Sequence, residues 1–233
     1  MDLKEARDKN FTVTVRHPWE LARANVLYSL SKRFLNTEQK FCVMDIGCGD
    51  TFVTEYLAKK FPASTFYAVD TAFNDELLKT YRSRLNLPNV FLSSSLENIT
   101  NQKNLHAQLI LLNDVIEHIE DDVGFLANLL SKPFINSKTI FLITVPAYPF
   151  LFCSHDTFLG HFRRYTNRSL KKNLNKSGLH VLEIGYFFAL LLPIRLFQVL
   201  MEKISISPKS SGTTGLVQWE GNRFTEKILK KIL

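Results

Sequence analysis

Residues 41–52 read FCVMDIGCGDTF. An apolar run ends in Asp45, and Gly47 and Gly49 follow, one residue apart. A glycine pair between a strand and a helix makes a tight turn whose backbone a ligand can approach closely. The carboxylate at the strand end repels a pyrophosphate and attracts an ammonium or a sulfonium. The dinucleotide fingerprint needs a third glycine where Phe52 stands, and the Gly-Lys-Ser/Thr of a phosphate loop is absent. A second acid, Asp70, closes the next apolar run, 70 − 49 = 21 residues past Gly49. An acid there can accept both hydroxyls of a ribose. Together these residues suit a nucleoside with a cationic amino-acid tail.

Two further clusters hold reactive side chains. In DVIEH, Asp114, Glu117 and His118 stand at i, i+3 and i+4, on one face if the segment is helical. Three roles are open: a base near the reaction centre, a divalent-metal site, or a capping box with Asp114 as N-cap. The cap is the reading favoured, and no metal is expected. Residues 145–166, VPAYPFLFCSHDTFLGHFRRYT, gather His155, Asp156, His161, Arg163, Arg164 and Tyr165 in an apolar, proline-broken frame. Guanidinium forks bind two oxygens at once, so Arg163 and Arg164, with Tyr165, are candidates for holding an anionic substrate. His161, His155 and His118 are the candidate bases, since an imidazole near its ordinary pKa can take a proton at neutral pH. Upstream, RHPWELARANVL (16–27) reads as a helix that presents Trp19 and Arg23 to the site, or simply covers the core.

The elements that must position these groups follow from periodicity. Strands are expected over residues 41–46, 65–70, 89–94, 107–113 and 138–146, with a sixth over 180–188. Helices are expected over 51–61, 74–85, 119–132 and 166–178, the last capped by Thr166 and ended by Gly178. Continuous apolar strands alternating with helices define an α/β, doubly wound, mostly parallel sheet covered on both faces. An apolar helix over 189–204, a loop over 207–215, a seventh strand over 215–219 and a basic terminal helix from 221 complete the expectation.

Composition sets outer limits. The 233 residues are 45% hydrophobic and 22% charged, which supports a packed core and argues against global disorder. A net charge of +7 favours anionic partners: a nucleic acid, a membrane surface or a phosphorylated substrate. Three cysteines without metal spacing point to free thiols in a reducing compartment. The charged start predicts no signal peptide, and residues 186–201 are short and broken for a spanning helix. The protein is expected in the cytoplasm, with peripheral membrane contact through the apolar and basic C-terminal part.

VMDIGCGDTF, FYAVD and LILLNDVIEHIEDD, in this order at successive strand ends, resemble the motifs of class I S-adenosylmethionine-dependent methyltransferases. The likeness covers residues 41–188 and implies a Rossmann-like methyltransferase sheet. It implies S-adenosyl-L-methionine as cofactor, with Asp45, Gly47 and Gly49 at the methionine end, Asp70 at the ribose and Asn113 lining the site. The family's adenine-binding acid is replaced, and Ser95 is the substitute. VPAYPFL, His-Asp and GHFRRYT resemble a bacterial subgroup associated with cell-surface saccharide or lipid pathways. The division implied is a methyltransferase domain over 1–188 and an extension over 189–233. The acceptor expected is an O or N atom of a small-molecule or lipid- or saccharide-linked anion, with Trp19, Arg163, Arg164 and Tyr165 binding it. Two alternatives stand: an RNA methyltransferase, disfavoured because no RNA-binding module or base-modifying motif is present, and a non-catalytic S-adenosylmethionine-binding protein.

Overall fold

The computed structural model describes residues 16, 18–100, 105–189 and 192–204. Among the described residues five strands form one all-parallel sheet: β1 (Cys42–Ile46), β2 (Thr65–Val69), β3 (Val90–Ser93), β4 (Leu109–Asn113) and β5 (Ile140–Thr144). Their order is β3-β2-β1-β4-β5. The order reverses between β1 and β4, so the connections on either side leave a crevice at the carboxyl ends of those strands. Asp45, one residue before the end of β1, and Asn113, the last residue of β4, sit at that crevice.

Strand alternation divides the core in two. On one face Val43, Phe66 and Leu111 pack with Leu57 and Ala58 of α2 (Phe52–Lys60) and with Leu78 and Tyr81 of α3 (Asp75–Arg84). On the other, Met44, Ile110 and Leu112 meet a second layer. That layer includes Ile99 of the short α4 (Glu97–Thr100), Leu126 and Leu129 of α5 (Asp122–Leu130), and Leu170 and Leu174 of α7 (Asn167–Lys176). Burial on both faces explains why β1 and β4 read as apolar runs without alternation. Truncating Leu111, which is fully buried, to alanine would cost about 2–5 kcal/mol.

Local chemistry sets the helix ends. Asn74 accepts from the Leu77 amide at 2.8 Å and starts α3. Thr166 accepts from the Ser169 amide at 3.1 Å and starts α7. Before the sheet, α1 (Pro18–Phe34) opens with proline and an acid, and closes with Lys32 and Arg33, as the helix dipole favours. The stretch after β5 turns at Pro149–Leu151 and forms α6 (Ser154–Leu159). The last described element is α8 (Leu192–Ile204), and no helix among the described residues is long and apolar enough to cross a membrane.

Two expectations are corrected. Residues 180–188 form no strand. Val181 and Ile184 lean on the α7-side core while Leu182 is 62% exposed, so the covered positions stand three residues apart and not two as strand alternation requires. Side chains hold the segment instead: the Asn167 amide donates to the Tyr186 hydroxyl at 2.9 Å, and Tyr186 stacks on Tyr148 with centroids 4.9 Å apart. The second correction concerns Asp114, which caps no helix. Its φ is 53°, a 3-10 turn follows at Ile116–His118, and α5 is capped by Asp121, which accepts from the Gly124 amide at 2.9 Å. The expected loop at 207–215, the strand at 215–219 and the terminal helix lie outside the described residues.

Candidate active site

A cavity of about 770 Å³ opens over the carboxyl ends of β1 and β4. Its floor is the glycine turn. Gly47 and Gly49 have φ of 73° and 55°, where L-side chains are strained. The Gly47 and Cys48 amides donate to the Val69 carbonyl at 2.8 and 3.1 Å, tying the turn to β2. A Cβ on Gly47 would lie 2.6 Å from Val115 Cγ2, so the turn needs glycine for space as well as for conformation.

Asp45 is 1% exposed, yet its carboxylate lines the cavity. Thr54 Oγ1 donates to Oδ2 at 2.5 Å, while Oδ1 has no hydrogen-bond partner among the described residues. Burial pushes its pKa up to about 6; the Thr54 bond works against this, and the nearby Asp70 charge adds to it. Asn113 Nδ2 is a second buried group with no partner among the described residues, and it too belongs to the cavity wall. Asp70 also lines the cavity, and its carboxylate braces the turn: Gly49 and Ala72 amides donate to it, each at 2.9 Å. Ser95 lies beyond β3 and is not brought to the cavity; the Ser93 hydroxyl donates to its carbonyl at 2.8 Å.

Helix α1 roofs this half. Arg23 forms an ion pair with Asp114, and its guanidinium lies 4.9 Å from the centroid of the Trp19 ring. Arg16 pairs with Asp50 in the glycine turn and sits over Phe52. Trp19, Arg23, Asp50 and Asp114 all line the cavity. Burial would raise Asp114, but the Arg23 charge and hydrogen bond outweigh it and hold the carboxyl below its ordinary range. Asp50 escaped the sequence reading; its place in the glycine turn was the available signal.

The other half is built from the turn after β4 and the stretch after β5. Asp156 is fully buried, and its Oδ1 lies 2.8 Å from His161 Nδ1 and accepts from Arg164 Nε at 2.8 Å. Its Oδ2 accepts from the Cys153 amide at 3.0 Å. Burial opposes the charge, but the His161 and Arg164 bonds dominate and keep Asp156 far below the usual carboxylate range. The rings of His118 and His161 meet edge to face with centroids 4.6 Å apart. Glu117 is fully buried and is held well above the ordinary range, first by burial and then by Asp114. Burial lowers His155, and the Arg195 charge adds to the effect.

His118, His155, His161, Arg164 and Trp19 therefore converge on one cavity, whereas Arg163 and Tyr165 do not line it. Arg163 donates to Asp122 at 3.1 Å and to the Glu120 carbonyl at 2.6 Å. The Tyr165 hydroxyl is buried and donates to Asp122 Oδ2 at 2.8 Å. These two residues anchor the loop to the start of α5, which corrects their expected place against the substrate. Asp122, a buried acid, is the hydrogen-bond partner of both.

Fold and site together define the class. A family model described as a methyltransferase domain matches residues 19–184, and the chain belongs to that family. No match is found among curated protein sequences. Solved structures share the fold at low identity. An O-methyltransferase family protein from Burkholderia thailandensis is 14% identical, with TM-score 0.51 over 71% of this chain and 55% of its own. The N,N-8-amino-8-demethyl-D-riboflavin dimethyltransferase from Streptomyces davawensis is 17% identical, with TM-score 0.51 over 78% of this chain and 54% of its own. The YcgJ protein from Bacillus subtilis is 11% identical, with TM-score 0.55 over 79% and 84%. The match thus spans about half the length of the first two.

Proposed function

We propose that the protein is an S-adenosyl-L-methionine-dependent methyltransferase whose acceptor is an O or N atom of an anionic small molecule or lipid- or saccharide-linked group. One observation carries the cofactor assignment: Asp45 Oδ1 and Asn113 Nδ2 are buried, unpartnered among the described residues, and face one cavity beside the glycine turn. One offers a negative charge to an ammonium or sulfonium, the other an N–H to a carboxylate or carbonyl. That pair of demands matches the methionine end of the cofactor, and Asp70 stands where a ribose would follow. Bound there, the cofactor supplies an activated methyl. Residues up to 188 would carry the transfer, with 189–233 as an extension.

The chain's own part is positioning. Helix α1 borders the cavity through Trp19 and Arg23, the latter paired with Asp114, while Arg16, just before the helix, pairs with Asp50 of the glycine turn; these contacts fix the wall against which a ligand would be oriented. Asp156 holds His161 Nδ1, so Nε2 is the nitrogen left to face the acceptor. Arg164 spends Nε on Asp156 and one terminal nitrogen on the Ala147 carbonyl, which fixes its guanidinium at the wall for an anion. Exposed Phe150, Phe158, Phe162, Phe187 and Phe197, with the net charge of +7, support contact with an anionic membrane surface and a lipid-linked acceptor. Free Cys42, Cys48 and Cys153 support a reducing, cytoplasmic setting.

Calorimetry with S-adenosyl-L-methionine tests the reading, with Asp45→Asn and Asp70→Ala beside the wild type. The expected result is binding by the wild type, weakened in both variants; a folded wild type that fails to bind overturns it. Radiolabelled methyl transfer to lipid and saccharide fractions then separates an enzyme from a binding protein.

A further inference from the structure

Glu117 is out of place as a lone residue. Its side chain is fully buried, and neither carboxyl oxygen has a hydrogen-bond partner among the described residues. Buried polar groups are nearly always hydrogen-bonded, and leaving one without a partner is costly, more so when it is charged. The group is not remote from other polar atoms: one potential ligand atom from each of Glu117, His118 and His161 lies within 4.8 Å of the other two. All three residues line the cavity.

The supporting contacts point the same way. The Phe162 amide donates to the Glu117 carbonyl at 2.8 Å, so the backbone locks the turn after β4 to the loop carrying His161. Asp156, fully buried, takes His161 Nδ1 at 2.8 Å and leaves Nε2 to coordinate. A carboxylate behind a histidine in this manner is the usual outer support of a metal-bound imidazole. Asp114 is not part of the set, because Arg23 holds it. The helix-capping role that would explain an Asp-x-x-Glu run is also absent, since Asp121 caps α5.

We propose that Glu117, His118 and His161 form a mononuclear divalent-metal site of the two-histidine, one-carboxylate type, with its remaining positions open to the cavity. The ligand set suits Zn²⁺ or Co²⁺, which would draw the three atoms to about 2.0–2.2 Å from the ion. The binding site stands on its own geometry; its role in transfer rests on the proposed function. There it selects a hydroxyl acceptor. The metal lowers the pKa of the bound hydroxyl, whose proton leaves to solvent. The oxygen then forms the new C–O bond as the methyl–sulfur bond breaks, and that electron pair stays on sulfur. His118 and His161 act as ligands in this scheme, and no histidine base is required.

The test uses the full chain, free of any affinity tag and stripped with chelator, titrated with Co²⁺ and followed by its visible absorption. One ion per chain with the intense bands of low coordination number is expected. Glu117→Gln keeps the shape and removes the charge, so it should fold and bind Co²⁺ at least about tenfold more weakly. His106→Ala, outside the cluster, should bind as the wild type does. Should Glu117→Gln fail to fold, His118→Asn and His161→Asn take its place with the same expected loss. Wild type without stoichiometric binding, or folded variants that bind Co²⁺ unchanged, overturns the proposal. S-adenosyl-L-methionine affinity measured on the same samples keeps the outcomes apart: cofactor binding without Co²⁺ sinks the metal site alone, and Co²⁺ binding without cofactor sinks the methyltransferase reading alone.

Discussion

His161 Nδ1 lies 2.8 Å from Asp156 Oδ1, and the carboxylate behind that contact is fully buried and strongly acidic. The relationship spans five residues and turns the chain sharply at Gly160, whose φ is 81°. It fixes which imidazole nitrogen faces the cavity. Asp156→Asn removes the charge while keeping the shape. Turnover should fall about tenfold to hundredfold, with cofactor affinity unchanged, because Asp156 bonds Cys153, His161 and Arg164 and none of Asp45, Asp70 or Asn113, the groups proposed to hold the cofactor. Paired kinetics and calorimetry check it; equal losses in both would mean that the substitution merely loosens the fold.

Cofactor affinity should depend on pH through Asp45. Its pKa of about 6 means that the carboxyl is ionised at pH 7.5 and mostly protonated at pH 5. Attraction for an ammonium or sulfonium needs the ionised form, so S-adenosyl-L-methionine should bind more weakly as the pH falls through about 6. Asp45→Asn should bind weakly and lose that pH dependence.

Stability should move the opposite way. Between the ordinary value of 3.8 and about 6, folded chains hold more protons on Asp45 than unfolded chains do. This group's contribution to stability therefore falls as pH rises through that window and stays low above it. The gap corresponds to about 3 kcal/mol as an upper bound. Asp45→Asn should raise Tm at pH 7.5 in the absence of cofactor, and the gain should shrink towards pH 4. Thermal melts at the two pH values decide this.

Gly47→Ala separates two causes of strain. Its Cβ would meet Val115 Cγ2 at 2.6 Å, and its φ of 73° disfavours any L-side chain. The single variant should lose more than the 1–2 kcal/mol, roughly, of left-handed strain. Adding Val115→Ala should recover the clash but not the backbone term. A double-mutant cycle in urea with no coupling between the sites would show that Val115 is not the obstacle.

Much of this was legible in the chain, for definite reasons. Strands buried on both faces must be apolar throughout, so β1, β2 and β4 declared themselves. The glycine turn was legible because its conformation admits few other residues. The stretch 180–188 misled because aromatic and branched residues there pack side chains, not a ladder. Asp114 misled because Asp-x-x-Glu is also written by a residue in the left-handed region whose partner, Arg23, is 91 positions away. No local pattern encodes a contact of that length. Glu117 could be named from sequence, but its unpartnered burial belongs to the packed structure alone.

Tyr165 is the clearest case of a chemically suggestive residue with a structural task. Its hydroxyl donates to Asp122 Oδ2 at 2.8 Å and to the Ile116 carbonyl within a looser 3.3 Å, one or the other holding the proton at any moment. Burial and the Asp122 carboxylate push its pKa above the ordinary value, so it stays protonated and cannot act as a base. Its backbone joins the Pro146 carbonyl at 2.9 Å and receives the Tyr148 amide at 2.8 Å, which sets the loop that carries His155 and His161. Tyr165→Phe keeps the ring and removes the hydroxyl, while Asn173 and Arg163 continue to satisfy Asp122. Stability should drop by about 0.5–1.5 kcal/mol, the net worth of one such bond. Acceptor KM should stay within about twofold, since a bond of that size outside the cavity adds nothing to acceptor binding. A Tyr165→Phe enzyme with unchanged stability and a sharply raised KM would return the hydroxyl to the substrate site.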